Sequence, residues 1–431
     1  MTSQAKFSFR LFETERTEDT GPAYTQVQIQ HRSRAPLQHS HCPLPALLSL
    51  LVPLTEGAQR LDTGFFWQLS VAAFLHSLYR RINRMLCPAV GILLSASASL
   101  HVSPSVCSSQ ARAHVRSSRR VGGCTKNETW RSVIAATAVQ KQPVRFINAG
   151  ANKGFEVAGF LEAWAPERNV SKRRWHRQIK AFAAARHLGF LGWSASGACK
   201  DGLQTEQEER RSRMNARRGN HVEIHAFELA ANTAHLLETI VNDTGVSDIV
   251  HVYNRPVDNS TRVVDVPRLA TALGNERFSI CHAPESRAVG KRGDSCRRRG
   301  RLPTLATSLD DFIEHHGFGH VFQVTIDTEG WDALVLEGLR RSLRSQTVQL
   351  VEFEYSSMGF WNKGLKDRRT LAQTLQWMAD VGWFCFMQAK FGLVPVSPPC
   401  WREEMEIHRW SNLVCVHGAS TFFAELLKLA V

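Results

Sequence analysis

From Lys141 onward, apolar positions recur with two distinct periods, and the two alternate along the chain. Val144 to Ala149 reads as a strand, and Gly154 to Trp164 as a helix with Phe155, Ala158, Leu161 and Ala163 or Trp164 on one side. A second strand over Val222 to Glu228 leads into a helix over Ala231 to Val241 that stops near Gly245, and a third strand covers Ile249 to Asn254. The fourth, Val321 to Asp327, is apolar almost throughout, which predicts a strand covered on both faces. A helix over Trp331 to Leu343, a strand over Val348 to Glu354, a helix over Leu371 to Val381 and strands over Trp383 to Gln388 and Asn412 to His417 complete the series. Strands and helices alternating at this spacing predict an α/β fold: an open, mostly parallel sheet with helices on both faces, joined by right-handed crossovers.

The chain before Lys141 carries no such rhythm. Residues 1–84 hold short apolar runs without a period and are left unassigned, as disordered chain or upstream read-through. Arg80, Arg81 and Arg84 precede Met85, and the apolar run Leu86 to Leu100 ends in Ser-Ala-Ser-Ala-Ser. That is the layout of a signal peptide or anchor over residues 85–104, a buried or misread apolar segment being the other reading. No run reaches the roughly 18 apolar residues of a membrane span. Residues 105–140 are read as a linker, 141–418 as the catalytic domain and 419–431 as a helical tail.

Charge adds a qualification to this division. The formal net charge is +14, but residues 168–218 hold thirteen Lys/Arg against four acids, and residues 287–301 hold seven against one. Those two stretches exceed the whole excess, so the remaining body is near neutral, and they read as basic insertions at about residues 165–220 and 284–303. Each is a solvated loop or a patch for RNA or phosphate, and neither interleaves enough aromatic residues to stack bases. The ten cysteines show no C-x-x-C pair, which speaks against a zinc site, and their scatter suits buried thiols or a few disulfides equally. Glycosylation sequons at Asn127, Asn169, Asn242 and Asn259 lean toward a secretory route. A Golgi, plastid or cytoplasmic location is left open.

In open α/β sheets, ligands sit beyond the carboxyl ends of the strands. Three places there carry chemistry. Asn148-Ala149-Gly150-Ala151-Asn152-Lys153-Gly154 joins the first strand to its helix, and its glycines permit a sharp turn and close backbone approach to a ligand. It is not G-x-G-x-x-G and lacks a Walker Lys-Ser/Thr, so it reads as either a ligand cradle or a plain tight turn. Glu228, at the end of the second strand, can accept both hydroxyl hydrogens of a ribose, or serve as a helix N-terminal charge. Asp327 and Glu329, in Thr325-Ile-Asp-Thr-Glu-Gly330, stand at the mouth of the fourth strand. Two carboxylates there can orient a substrate hydroxyl and take its proton, hold a divalent ion, or cap the next helix.

These segments also resemble a known family. Phe146-Ile-Asn-Ala-Gly-Ala-Asn-Lys-Gly, Ala226-Phe-Glu, Thr307-Ser-Leu-Asp-Asp-Phe and Ile326-Asp-Thr-Glu-Gly-Trp-Asp-Ala-Leu-Val-Leu-Glu-Gly are similar in order and spacing to the motifs of FkbM-type methyltransferases. Val351-Glu-Phe-Glu-Tyr, Gly382-Trp-Phe-Cys-Phe and Trp410-Ser-Asn-Leu-Val-Cys-Val resemble the version found in algal and related eukaryotic proteins. The resemblance spans Pro143 to His417 and implies a class I, Rossmann-like, seven-stranded fold that binds S-adenosyl-L-methionine. It also implies methylation of a hydroxyl on a small molecule or carbohydrate. By position, Asn148, Ala149, Gly150, Asn152 and Gly154 would line the cofactor, Glu228 would hold its ribose, and Asp327 and Glu329 would face the methyl group. Two positions depart from the pattern: Asn148 stands where Asp is common, and Thr325 where Lys is common. A nucleic-acid methyltransferase and a degenerate cofactor-binding module are the alternatives, the first from the basic stretches and the second from Asn148. The general base is expected to be Asp327, then Glu329, rather than any of His282, His315, His316 or His320.

Overall fold

A computed structural model describes residues 107, 129–137, 143–186, 221–267, 280–281, 300–361, 369–389 and 392–430. The readings for residues 1–84 and 85–104 lie outside these, as does most of the second basic stretch. Eight strands form one sheet: β1 (Val144–Ala149), β2 (Val222–Phe227), β3 (Val250–Tyr253), β6 (Val321–Ile326), β7 (Val348–Tyr355), β8 (Trp383–Ala389), β9 (Gly392–Pro395) and β10 (Ser411–His417). Their order is β3-β2-β1-β6-β7-β10-β8-β9, with β3 through β7 parallel and β10 antiparallel to both its neighbours. The sequence led to an expectation of seven strands, and β9, added at one edge of the sheet, makes eight. A separate antiparallel pair, β4 (Val263–Pro267) and β5 (Arg301–Leu305), lies outside the sheet. The order reverses direction at β1, whose neighbours are β2 on one side and β6 on the other, which is the switch point where a crevice opens.

Alternation along the strands divides the core in two. Phe146, Ile224, Phe322, Leu350, Phe384 and Val414 face one side, under α1 (Thr129–Thr137), α2 (Phe155–Trp164), α3 (Lys172–Ala185), α4 (Ala231–Thr244) and α9 (Thr421–Lys428). Ile147, Phe227, Val324, Phe353, Cys385 and Leu413 face the other, under α5 (Leu309–His315), α6 (Asp332–Glu337), α7 (Arg340–Arg344) and α8 (Leu371–Asp380). Both faces being covered explains the nearly unbroken apolar strands.

Four boundaries differ from the sequence reading, each for a visible reason. The first basic stretch is not all insertion: α3 belongs to the body, with Trp175 fully buried and its indole N–H donating to Lys153 O at 2.7 Å. Part of the presumed linker is α1, where Trp130 and Ile134 are buried and Arg131 bridges Glu156 and Glu352 across the helix–sheet interface. The C-terminal tail is α9, packed through Phe422 and Leu426 into the core. The helix expected from Trp331 to Leu343 is broken into α6 and α7 at Gly338, where any side chain would meet Asp258 O at 2.4 Å. Among the described residues no helix is long and apolar enough to cross a membrane.

Candidate functional site

The turn after β1 carries three residues with left-handed backbone: Gly150 (φ 85°), Asn152 (φ 46°) and Gly154 (φ 79°). Gly150 is required by contact as well as by conformation, since a Cβ there would sit 1.7 Å from the carbonyl oxygen of Asp327. Its N–H and that of Ala151 donate to Phe227 O at 3.0 and 2.7 Å, and Asp327 N–H donates to Ala149 O at 2.9 Å. The turn is therefore laced to the ends of β2 and β6 at once. Gly154 is glycine for a different reason, because it opens α2 and a side chain there would collide with Leu237 and Trp175. Ala149 gives the site only its backbone, its methyl group being in the core.

Glu228 is buried and joins this lacing. One carboxylate oxygen accepts Asn152 N–H at 2.8 Å and the other accepts Ala230 N–H at 2.7 Å, while its backbone carbonyl accepts the Asn254 side-chain amide at 2.9 Å. Burial raises its pKa, opposed by those N–H donors and by the charge of Lys153. Each carboxylate oxygen has a second lone pair, so a ligand hydroxyl can still be accepted. Gly150, Asn152, Glu228 and Asp327 thus meet in one place.

Beyond β6 the chain enters Asp327-Thr-Glu-Gly330 with Glu329 at φ 55° and Gly330 at φ 90°. The group that shapes this turn is Asp332, to which the sequence alone assigned no role. Fully buried, it accepts Thr328 N–H at 2.8 Å and Thr328 hydroxyl at 3.0 Å on one oxygen, and Gly330 N–H at 3.0 Å and the Trp361 indole N–H at 3.3 Å on the other. The neighbouring loop after β7 locks on top, Phe360 N–H donating to Gly330 O at 2.8 Å. Trp331 is held in turn by its indole N–H donating to Asp258 at 2.9 Å. The Thr307 to Phe312 motif is structural as well: Ser308 caps α5, and Asp310 accepts the backbone N–H groups of Arg341 and Ser342 at the start of α7.

Glu354, at the end of β7, is the second residue that sequence reasoning passed over. It is buried and hydrogen-bonded to Asp327, and its pKa is raised well above the carboxylate range. Burial is the main cause, followed by the negative charges of Asp327, Asp332 and Glu329. Glu354 therefore keeps a proton to higher pH than an ordinary carboxyl does, in a pair with Asp327. The alternation Glu352-Phe-Glu354 placed both acids on one face of β7, a signal visible in the sequence; their roles differ because Glu352 is bound by Arg131 and Gln388 instead.

Glu354→Gln should keep the hydrogen bond and remove the titration. A carboxyl whose folded pKa is raised contributes fully to stability below its ordinary value of 4.5, and that contribution is lost as pH rises toward the folded value. The melting temperature of Glu354→Gln relative to the unaltered chain should therefore be higher at neutral pH than near pH 4.5, by about 2–4 °C per kcal/mol of regained stability. A difference that is flat across this range in melting curves would contradict a raised pKa at Glu354.

A cofactor can be tested against the polar atoms left over. Asn148 is buried just under the turn, and both its amide oxygen and nitrogen lack a protein partner, as does the amide oxygen of Asn152. Buried amides of this kind are costly unless something satisfies them, and they fit a ligand with both donors and acceptors. Among the described residues, no group of three or more His, Cys, Asp or Glu is arranged to hold a metal ion.

Comparison with known proteins adds a partial match. Residues 197–383 match the methyltransferase FkbM domain, a span that takes in β2, β6, β7, Glu228, Asp327, Glu329, Asp332 and Glu354. No curated protein matches the chain. Among solved structures, the FkbM methyltransferase of Methylobacillus flagellatus KT is 10% identical, with a TM-score of 0.25 over 52% of this chain and only 36% of that one. Cofactor-bound Rv0187 from MTB is also 10% identical, with a TM-score of 0.27 over 77% of this chain and 96% of that one.

Proposed function

We propose, from the match of residues 197–383 to the methyltransferase FkbM domain, that the chain is a methyltransferase that binds S-adenosyl-L-methionine in the crevice at β1, β2 and β6 and methylates a hydroxyl oxygen of a small molecule or carbohydrate. The observation that carries this reading is the meeting of the glycine turn, Glu228 and Asp327, tied by the 2.8 Å bond from Asn152 N–H to Glu228 and the 2.9 Å bond from Asp327 N–H to Ala149 O.

When bound, the cofactor supplies a methyl group on a sulfonium whose departure needs no acid. The chain's own work is then to bind, align and deprotonate. Glu228 would hold the ribose hydroxyls, and Gly150 and Asn152 with the orphan amide of Asn148 would hold the amino-acid end. An amide in place of a carboxylate at 148 offers the ligand both a donor and an acceptor. Asp327, hydrogen-bonded to Glu354, would take the acceptor's hydroxyl proton. Glu329, half-buried beside it in a left-handed turn, would orient the acceptor.

A nucleic-acid acceptor is less well supported, because part of the first basic stretch is α3, whose Lys172, Trp175 and His176 are buried. The test is transfer of isotopically labelled methyl from S-adenosylmethionine to a panel of polyhydroxylated small molecules and glycans, with RNA as a comparison. Label in an alkali-stable methyl ether is expected; label in RNA alone would overturn the choice of acceptor.

A further inference from the structure

We propose that Asn169 and Asn242 carry N-linked oligosaccharides, added before folding in an oxidising compartment, and that they mark the face of the domain opposite the crevice.

The two sequons stand close together in the fold although 73 positions separate them in the sequence. Asn169 follows α2, and Asn242 lies in the last turn of α4; both helices run back from the carboxyl ends of the strands toward their amino ends. Arg168, next to Asn169, pairs with Asp248, which follows α4 and precedes β3, at 2.5 Å. Both asparagines are exposed. A sugar on either projects from the amino-end edge of the sheet, where it leaves the turn at Gly150 and the acids at the carboxyl end uncovered. Asn259 is the contrasting case. It is half-buried at the carboxyl edge, its amide oxygen accepts from Ser260 and its backbone packs against Gly338, so it is left out of the proposal.

The hydroxyls of the sequons date the event. Ser171 is buried as the cap of α3, accepting Arg174 N–H, and Thr244 is buried with its hydroxyl donating to Ile240 O at 2.7 Å. A transferase that must grip those hydroxyls reaches them only in the unfolded chain. In the transfer, the asparagine amide nitrogen attacks the anomeric carbon of a lipid pyrophosphate-linked oligosaccharide. The N–C bond forms as the C–O bond to pyrophosphate breaks, the nitrogen loses one proton, and the lipid pyrophosphate leaves.

The cysteines give an independent observation of the same compartment. Cys107 is bonded to Cys400, 293 positions away, and Cys385 to Cys415 across the paired strands β8 and β10. Cys281 is also disulfide-bonded. Disulfides holding a core together are a mark of secreted and lumenal proteins.

The full chain, expressed in a eukaryotic cell and purified without reductant, tests this. Digestion with peptide N-glycosidase should increase its gel mobility, and Asn169→Gln and Asn242→Gln should each remove one step of that shift. Peptide mapping without reduction should recover Cys385 linked to Cys415. A cooperatively melting protein with no glycan at either asparagine, or with Cys385 and Cys415 alkylated without reductant, would overturn the proposal; neither result touches the methyltransferase reading.

Discussion

Asp327→Asn is expected to slow methyl transfer about 10²–10⁴-fold while leaving cofactor affinity nearly unchanged, the usual cost of losing a general base. The substitution keeps the side chain's shape and its hydrogen bond with Glu354, and it leaves the backbone bond to Ala149 intact. What it removes is the carboxylate proposed to take the acceptor's proton. Kinetics with saturating cofactor separate the two outcomes: a fall in kcat supports the base, whereas unchanged turnover assigns Asp327 to structure alone. Glu329→Gln, at a residue argued only to orient the acceptor, should raise KM more than it lowers kcat.

The largest effect on folding is expected at Gly150→Ala. An alanine there incurs the left-handed penalty of about 1–2 kcal/mol and also places its methyl group 1.7 Å from Asp327 O. The strand end must then move, adding about 1–3 kcal/mol of overpacking and pulling on the bond from Asp327 N–H to Ala149 O. Gly245→Ala is the control. Its φ of 72° is comparable, but no atom lies within 4 Å of the added carbon, so only the conformational penalty applies. Denaturant melts should show Gly150→Ala as clearly the more destabilising of the two; equal losses would mean that the contact at Asp327 is not rigid.

Legibility in the sequence followed side-chain periodicity. The central strands and α2, α4 and α8 were readable because their apolar positions repeat over a whole element and both faces of the sheet are covered. Helix α3 was hidden by its composition: in Lys-Arg-Arg-Trp-His-Arg-Gln-Ile-Lys the charged residues dominate, and the buried stripe, Lys172, Trp175, His176 and Phe182 with Ile179 partly covered, itself begins with a charge. The tail was read as helical, but α9 is too short for Phe422 and Leu426 to announce that it packs into the core. Strand β9 has four residues and begins and ends in Gly and Pro.

In the site, position along the chain was readable and direction was not. Asn148, Gly150, Asn152, Glu228 and Asp327 could be picked because they end strands. Asp332 and Glu354 stood within recognisable motifs without a role, since nothing in a sequence shows that one acid points down into its own turn and another leans across to the next strand. Gly154 carries an ordinary reason for being glycine, the closeness of Trp175 and Leu237.

Calorimetric titration of the purified full chain with S-adenosylmethionine tests the central claim most directly. The crevice formed by the glycine turn, Glu228 and Asp327 should bind one equivalent. Glu228→Ala should weaken that binding about 10–100-fold, as loss of a hydrogen bond to a charged group does. A folded chain that gives no binding heat at any of several temperatures, or that binds equally well without the Glu228 carboxylate, would contradict it.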